Sequence, residues 1–294
     1  MTSYLPHQGV GRSDPSGLNQ RSKDMKKLKK VEALRARIEG RAVIASVSGG
    51  KDSTAMALAL MEADIPFTPV FMDTGWEDDA TYEYIDSLTQ VVGPIVRLTA
   101  NIKVPEKFTG YLEELEALFG RPSQMIRLSL RKQMFPARQQ RFCTGALKID
   151  PLVDYLTTLE EEPINATGIR REESRSRATL DEWEFFERGD CWAWRPIIDW
   201  TLEDVINIHK RHEVAPNPLY LRGAGAERVG CYPCIYARKA EIREIAKHSP
   251  DRIAFMKRFE EVLSEMTGGR RAWFTPRGPN SLPFSIEKVV ACAQ

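Results

Sequence analysis

Short apolar, β-branched runs at 42–47, 67–72 and 95–98 alternate with stretches in which apolar side chains recur every three or four residues. Runs of that length bounded by turn signals read as buried strands, and the longer recurrences read as helices. The pattern predicts strands at Ala42–Val47, Phe67–Met72 and Ile95–Leu98, with a helical stretch that follows the 48–53 loop and runs through Glu62 and another helix over Asp78–Val92. Alternation of this kind implies an α/β fold, a parallel sheet with helices on both faces. Further on, 105–160 reads as mostly helical, Ile164–Thr167 as a buried strand and Trp192–Ile198 as another. Thr201 with Asp204 three residues later opens a helix to Arg211 as the acidic form of a capping box. Two more helices are expected in 239–267, divided near Pro250, so the C-terminal extension is helical. Upstream, Met25, Leu28, Val31, Leu34 and Ile38 mark a helix that Gly40 ends, with a Lys- and Arg-rich outer face. The expected organisation is a flexible arm at 1–21, an α/β domain at 22–235 and a helical region at 236–294.

A chain of 294 residues accommodates one large domain, or one with a smaller appendage. Its 42% hydrophobic and 28% charged content excludes a collagenous or wholly disordered chain. No window offers the ~18 apolar residues of a membrane span, and no apolar secretory leader is seen, so no membrane role and a cytoplasmic location are expected. The net charge of +1 excludes a globally basic protein, but the charges are unevenly placed. Residues 1–41 carry ten basic and four acidic side chains. Between Glu116 and Asp150 there is no acid, yet Arg121, Arg127, Arg131, Lys132, Arg138, Arg141 and Lys148 all occur there. That stretch is a candidate anion site, with Arg131, Lys132, Arg138 and Arg141 as its substrate-binding set and DNA as a possible partner. The alternative is that Glu113, Glu114 and Glu116 or other distant acids fold back to neutralise it.

Candidate chemistry starts at Ser48-Gly49-Gly50-Lys51-Asp52-Ser53, between the first strand and the first helix after it. Glycines let backbone N–H groups turn inward, the helix N-terminus adds its positive end, and Lys51 with the hydroxyls of Ser48 and Ser53 can reach phosphate oxygens. It is not a Walker A loop, because Ala45 stands where that pattern has its first Gly and Asp52 where it has Ser or Thr. Asp73, at a strand end, suits Mg²⁺ or the nucleotide, or alternatively caps a helix. Arg170, Arg171 and Arg177 offer forked donors to phosphates, or alternatively pair with the intervening Glu172 and Glu173. His209, His212 and His248 lack metal-site companions and read as core or surface residues.

The hexapeptide resembles the loop of the PP-loop ATP pyrophosphatases. Met72-Asp73-Thr74-Gly75-Trp76-Glu77 is similar to the segment lining their nucleotide site. Arg141-Phe142-Cys143-Thr144 with Leu147-Lys148-Ile149, the stretch Gly168, Arg170, Arg171, Glu173, Ser174 and Arg177, and Trp194-Arg195-Pro196-Ile197 resemble the phosphoadenosine phosphosulfate (PAPS) reductase family. The resemblance spans about 40 to 250 and implies an adenine nucleotide α-hydrolase-like fold. It implies ATP and Mg²⁺ as ligands, with Lys51, Asp52, Asp73 and Arg170 catalytic and Ser48, Gly49, Gly50, Ser53, Met72, Thr74, Gly168, Arg171 and Arg177 around the nucleotide.

Five cysteines in a reducing compartment argue against disulfides. Cys231-Tyr-Pro-Cys234 together with Cys143, in a segment that resembles the family's, suggests an iron–sulfur cluster of the 4Fe-4S type, either with a fourth protein ligand, Cys191 ahead of Cys292, or with three protein ligands only. Zinc and plainly buried thiols are the alternatives. By motif set the chain is similar to the PP-loop component of DNA phosphorothioation systems, which implies ATP cleavage to AMP and pyrophosphate for sulfur transfer and a cysteine desulfurase as sulfur donor. A second expectation is a PAPS or adenosine phosphosulfate reductase using thioredoxin and Cys292. Against it, the chain reads Val289-Val290-Ala291-Cys292-Ala293-Gln294 where the reductases' Glu-Cys-Gly-[Ile or Leu]-His signature is expected. A third is a nucleotide-binding iron–sulfur sensor without turnover. An oligomer is compatible with all three.

Overall fold

The computed structural model describes residues 31–222, 228–269, 271–273 and 284–292, so the expected arm and the first turns of the basic helix lie outside the described residues. Helix α1 (Val31–Ile38) leads into β1 (Arg41–Ser46), α2 (Lys51–Glu62), β2 (Thr68–Asp73), α3 (Asp79–Val92) and β3 (Val96–Thr99). Next come α4 (Thr109–Phe119), α5 (Gln124–Lys132) and α6 (Phe142–Thr144), which runs through a π-helical turn, Gly145–Ile149, into α7 (Asp150–Leu156). The strands β4 (Glu162–Thr167), β5 (Trp183–Phe186) and β6 (Cys191–Trp194) precede α8 (Leu202–Arg211), α9 (Lys239–His248), α10 (Pro250–Thr267) and α11 (Ile286–Ala291).

The six strands form one sheet in the order β3-β2-β1-β4-β6-β5. All neighbours are parallel except β5 and β6. Central β1 pairs with β4 over six residues and carries a continuous apolar centre, Val43 to Ala45, as expected of a strand covered on both faces. The order of strands reverses at β1, and such a switch point leaves a crevice at the carboxyl ends of β1 and its neighbours.

The expected strand at Trp192–Ile198 ends at Trp194. Pro196 has no N–H for a ladder, and the chain turns instead, Ile198 donating to the Arg195 carbonyl at 3.1 Å and Trp200 to that of Ile197 at 3.0 Å. Strand β5 was not foreseen; its Trp183 ring stacks on Trp194 at 5.1 Å and closes the sheet edge. The capping box at Thr201 forms as read, with Thr201 Oγ1 accepting from Asp204 N–H and Asp204 Oδ2 accepting from Thr201 N–H.

The C-terminal helices share a core with the middle of the chain. Trp76, just past β2, stacks on Trp273 at 5.1 Å and on Phe119 at 5.2 Å, and meets Phe255 and Phe259 of α10. The buried Glu260 carboxylate accepts the backbone N–H groups of Trp273 (2.8 Å) and Ile286 (3.0 Å), seating α11. Among the described residues, no helix is long and apolar enough to cross a membrane.

Candidate functional site

The Ser48–Ser53 loop joins β1 to α2 at the switch point. Gly49 has φ +73°, a left-handed conformation that glycine adopts without steric cost. Ser53 Oγ accepts the Ser48 N–H (3.0 Å) and donates to the Gly50 carbonyl (3.0 Å), tying the loop into one turn. No side chain caps α2 at Gly50, so the helix start keeps its electropositive character toward the crevice. Lys51 lies half-buried beside this opening, its Nζ 3.2 Å from Asp52 Oδ2.

Residues far along the chain hold the loop. Lys51 N–H donates to Tyr220 Oη at 3.2 Å, Asn217 Nδ2 donates to the Gly49 carbonyl at 3.2 Å, and His209 Nε2 is 2.9 Å from the Lys51 carbonyl. Gly168, at the end of β4, lies so close to α2 that a Cβ there would stand 2.6 Å from the Asp52 carbonyl oxygen and 2.7 Å from Ser53 N. His209, Asn217 and Tyr220 were not singled out as site residues from the sequence; the histidine was read as core or surface, and nothing local marks the other two.

The arginine segment is arranged differently from expectation. Arg170 is 4% exposed and donates from Nε to Asp52 Oδ1 at 2.6 Å and from a terminal nitrogen to Glu172 at 2.6 Å. Burial works against its charge, but Asp52 with Glu172 and Glu173 together outweigh it and hold its pKa above the ordinary value. Arg171 pairs with Asp199 and the Leu180 carbonyl, and Arg177 pairs with Glu173. All three are engaged by acids of the protein, as the salt-bridged alternative for this segment has it, although the partners Asp52 and Asp199 come from outside it. Arg170 and Asp52 serve here as a buried clamp that fixes the loop helix against the 168–173 segment.

Asp73 ends β2 on the strand beside the loop and does not cap α3; Asp78 does, accepting from Ala80 N–H at 3.0 Å. Asp73 Oδ1 accepts from Gly75 N–H (2.8 Å) and from the Tyr82 hydroxyl (2.7 Å). Met72 is half-buried at the same strand end. Thr74 is fully buried and donates to Glu77 at 2.8 Å, so it supports a buried carboxylate instead of lining the crevice.

Beyond Glu77 lies a second polar centre. A cavity of ≈ 170 Å³ is lined by Lys148, Cys231, Cys234, Tyr236, Arg228 and His248, among others. Burial pushes the Cys231 thiol up to about 12, against the pull of Lys148. Burial, then Cys234, raises Cys143; Lys148 is held above its ordinary pKa by Cys231 first, and by Glu77, Cys234 and Cys143. Three of the expected thiols thus share one neighbourhood. Cys191 does not: it is fully buried on β6 among Ile44, Val70, Leu152 and Leu156. Its place as fourth ligand is corrected accordingly, because its neighbours are aliphatic and not sulfur. Among the described residues, no three His, Cys, Asp or Glu side chains are gathered so as to hold a metal ion. The arrangement therefore does not fit a four-cysteine cluster.

The acid-free stretch is partly neutralised. Arg121 pairs with Asp79, Arg127 with Glu116 at 2.8 Å, and Lys148 faces the thiols; Glu114 instead holds Arg258. Arg131, Lys132, Arg138 and Arg141 remain exposed and have no acidic partner among the described residues. Arg138 and Arg141 converge on the Tyr236 ring, at 5.6 and 5.2 Å from its centroid. Since Tyr236 also lines the thiol cavity, these two cations flank that cavity.

The loop, the strand-end aspartate and the parallel sheet coincide with a match over residues 42–237 to the phosphoadenosine phosphosulfate reductase domain. The chain belongs to that family. An uncharacterised 37.8 kDa protein of Escherichia phage 186 is 37% identical over 266 residues, covering 79% of this chain and 78% of its own. The phosphoadenosine 5'-phosphosulfate reductase of Alkalilimnicola ehrlichii is 31% identical over 189 residues, 64% of this chain and 68% of that one. Among solved structures, the PAPS reductase of Candida auris in its phosphate complex superposes with a TM-score of 0.50 at 15% identity, covering 77% of this chain and 99% of that one. At that identity the likeness speaks for the fold, a PAPS reductase-like sheet with helices, as the strand order does independently.

Proposed function

We propose that the protein is an ATP pyrophosphatase of the PAPS reductase family that adenylates an oxygen of its substrate so that sulfur can replace it. The observation that carries this reading is the loop: Gly49 in a left-handed turn, a helix start with no side-chain N-cap, and Lys51 lie together at the carboxyl end of β1, the sheet's switch point. A substrate oxygen attacks the α-phosphorus of ATP, the new O–P bond forms, the α–β bridge breaks, and pyrophosphate leaves toward Lys51 and the helix N-terminus. A sulfur nucleophile then displaces AMP. Mg²⁺ bound to ATP would be held at Asp73 and would supply charge neutralisation of the polyphosphate.

The exposed Arg131, Lys132, Arg138 and Arg141 support a polyanionic substrate, and the DNA backbone, as in phosphorothioation, is the one we favour. A cysteine desulfurase is the sulfur donor in this scheme: its persulfide displaces AMP, and a second thiol then cleaves the S–S bond, leaving sulfur on the substrate and a disulfide as the oxidised product. No step above depends on iron or zinc at Cys143, Cys231 and Cys234. Lys51→Ala is expected to lower pyrophosphate release from ATP at least about tenfold, ~1.4 kcal/mol of transition-state stabilisation. Pyrophosphate release equal to that of the active wild type would refute the assignment of the loop.

Similarity to named PAPS and adenosine 5'-phosphosulfate reductases favours a second reading, reduction of a sulfated nucleotide with thioredoxin as reductant and the exposed Cys292 as nucleophile. The two part on substrate. Sulfite release from PAPS or adenosine phosphosulfate, without pyrophosphate release from ATP, selects the reductase.

A further inference from the structure

The nucleotide crevice and the thiol cavity meet through one hydroxyl group. Tyr82 Oη is 2.7 Å from Asp73 Oδ1 and 3.2 Å from Glu77 Oε2. A phenol has a single hydrogen, so it serves one carboxylate fully and leaves the other short of a donor. The distances give it to Asp73 in this state.

Glu77 is 1% exposed, and a buried carboxylate is costly to leave under-bonded. It accepts from the Thr74 hydroxyl at 2.8 and 2.9 Å and from Trp76 N–H at 3.1 Å. Its other oxygen is 3.8 Å from Cys231 Sγ, and its backbone forms an isolated bridge with Cys231. The Lys148 ammonium lies within the field of Glu77 and of the three thiols. Glu77 therefore has a hydrogen-bonding neighbour on each side, Tyr82 Oη at 3.2 Å and Cys231 Sγ at 3.8 Å, with the Lys148 charge beyond the second.

We propose that Tyr82 couples the two sites: its hydroxyl hydrogen rests on Asp73 when the crevice is empty and passes to Glu77 when a Mg²⁺-bound triphosphate engages Asp73. The inference rests on the reading that Asp73 meets the nucleotide. The hydroxyl is a two-state element that both sites bias, which is what coupling between sites requires. The coupling is reciprocal, so a change in the cavity must alter nucleotide affinity. Removing the Lys148 ammonium leaves Glu77 with more need of the Tyr82 hydrogen. That releases Asp73 for the cation, so the nucleotide binds more tightly.

The test is a double-mutant cycle on the full chain, with the dissociation constant of Mg²⁺ and α,β-methylene ATP read by calorimetry. Lys148→Met is expected to tighten binding at least about threefold in the wild-type background and to change it by less than about 1.5-fold in Tyr82→Phe, beyond the usual additivity error. Cys231→Ser perturbs the same side of Glu77 and is read in the same cycle should Lys148→Met fail to fold. A merely structural tyrosine shifts affinity by itself but leaves the Lys148→Met effect intact. Equal shifts in both backgrounds, or none in either, overturn the coupling while the nucleotide reading stands. A wild type that binds no nucleotide overturns that reading and the coupling with it.

Discussion

Gly168→Ala tests the close approach on which the loop depends. The added Cβ would sit 2.6 Å from both the Asp52 carbonyl oxygen and Ser53 Cα, and 2.7 Å from Ser53 N, all of them backbone atoms. Ordinary contact begins at 3.4 Å, so β4 and the start of α2 must separate by roughly 0.8 Å. Neither can yield alone: β4 is hydrogen-bonded to β1 along six residues, and the loop is tied by Ser53 to Gly50 and by Arg170 to Asp52. Overpacking of this kind costs about 1–3 kcal/mol. At about 2 kcal/mol the melting temperature falls by about 4–8 °C in a domain of this size. The strain falls on the residues meant to face phosphate, so affinity for Mg²⁺ and α,β-methylene ATP should drop about tenfold, the equivalent of about 1.4 kcal/mol. Gly110→Ala is the control, because a Cβ there meets nothing within 4 Å. Differential scanning fluorimetry and calorimetry read both variants. A Gly168→Ala protein that melts within about 1 °C of wild type and binds the nucleotide equally would refute the reasoning.

Arg170→Met leaves the Asp52 carboxylate buried without its main partner and should cost about 3–5 kcal/mol in urea unfolding, with a smaller loss once Asp52→Asn is added. Replacing Arg131, Lys132 and Arg138 together by alanine should weaken DNA binding and reduce the slope of log affinity against log salt by ~0.9 for each phosphate that these side chains no longer neutralise, measured by fluorescence anisotropy. An unchanged slope would leave a small nucleotide as the better substrate. Cys191→Ser should leave the iron and zinc content of anaerobically purified protein at the wild-type value, since that thiol packs against aliphatic side chains.

Most of the sheet was legible because its strands are locally encoded. The apolar run at Val43–Ala45, Phe71 in β2 and Ile164 in β4 mark strands that the sheet buries. Strand β5 escaped because an edge strand need not be apolar throughout: Glu184 and Phe185 are exposed, and only its pairing with β6 makes it a strand. The place of the Ser48–Ser53 loop was legible for the same local reason, a hexapeptide between strand and helix. What surrounds it was not. The Arg170–Asp52 clamp joins residues 118 positions apart, and the basic stretch finds Asp79 and Glu116 from separate helices. Charge counts along a chain do not say which acid will face which base. The cysteines show the same limit: spacing marks Cys231 and Cys234 as a pair, but only the fold separates Cys191 from them.

The loop's distant supports also bear on how the protein is made. Strand β1, the loop and α2 leave the ribosome early, but Tyr220, which accepts the Lys51 N–H, follows 169 residues later. At ~5–20 residues per second that interval is about ten to thirty seconds. During it the loop has its glycines and its helix, yet lacks His209, Asn217 and Tyr220 to fix the peptide groups of Gly49 and Lys51. On the proposed function, a nascent chain would therefore bind nucleotide poorly until its last third is in place. ATP would then be a late ligand of the finished molecule, stabilising it by mass action only after synthesis has passed the point where premature capture could trap an incomplete fold.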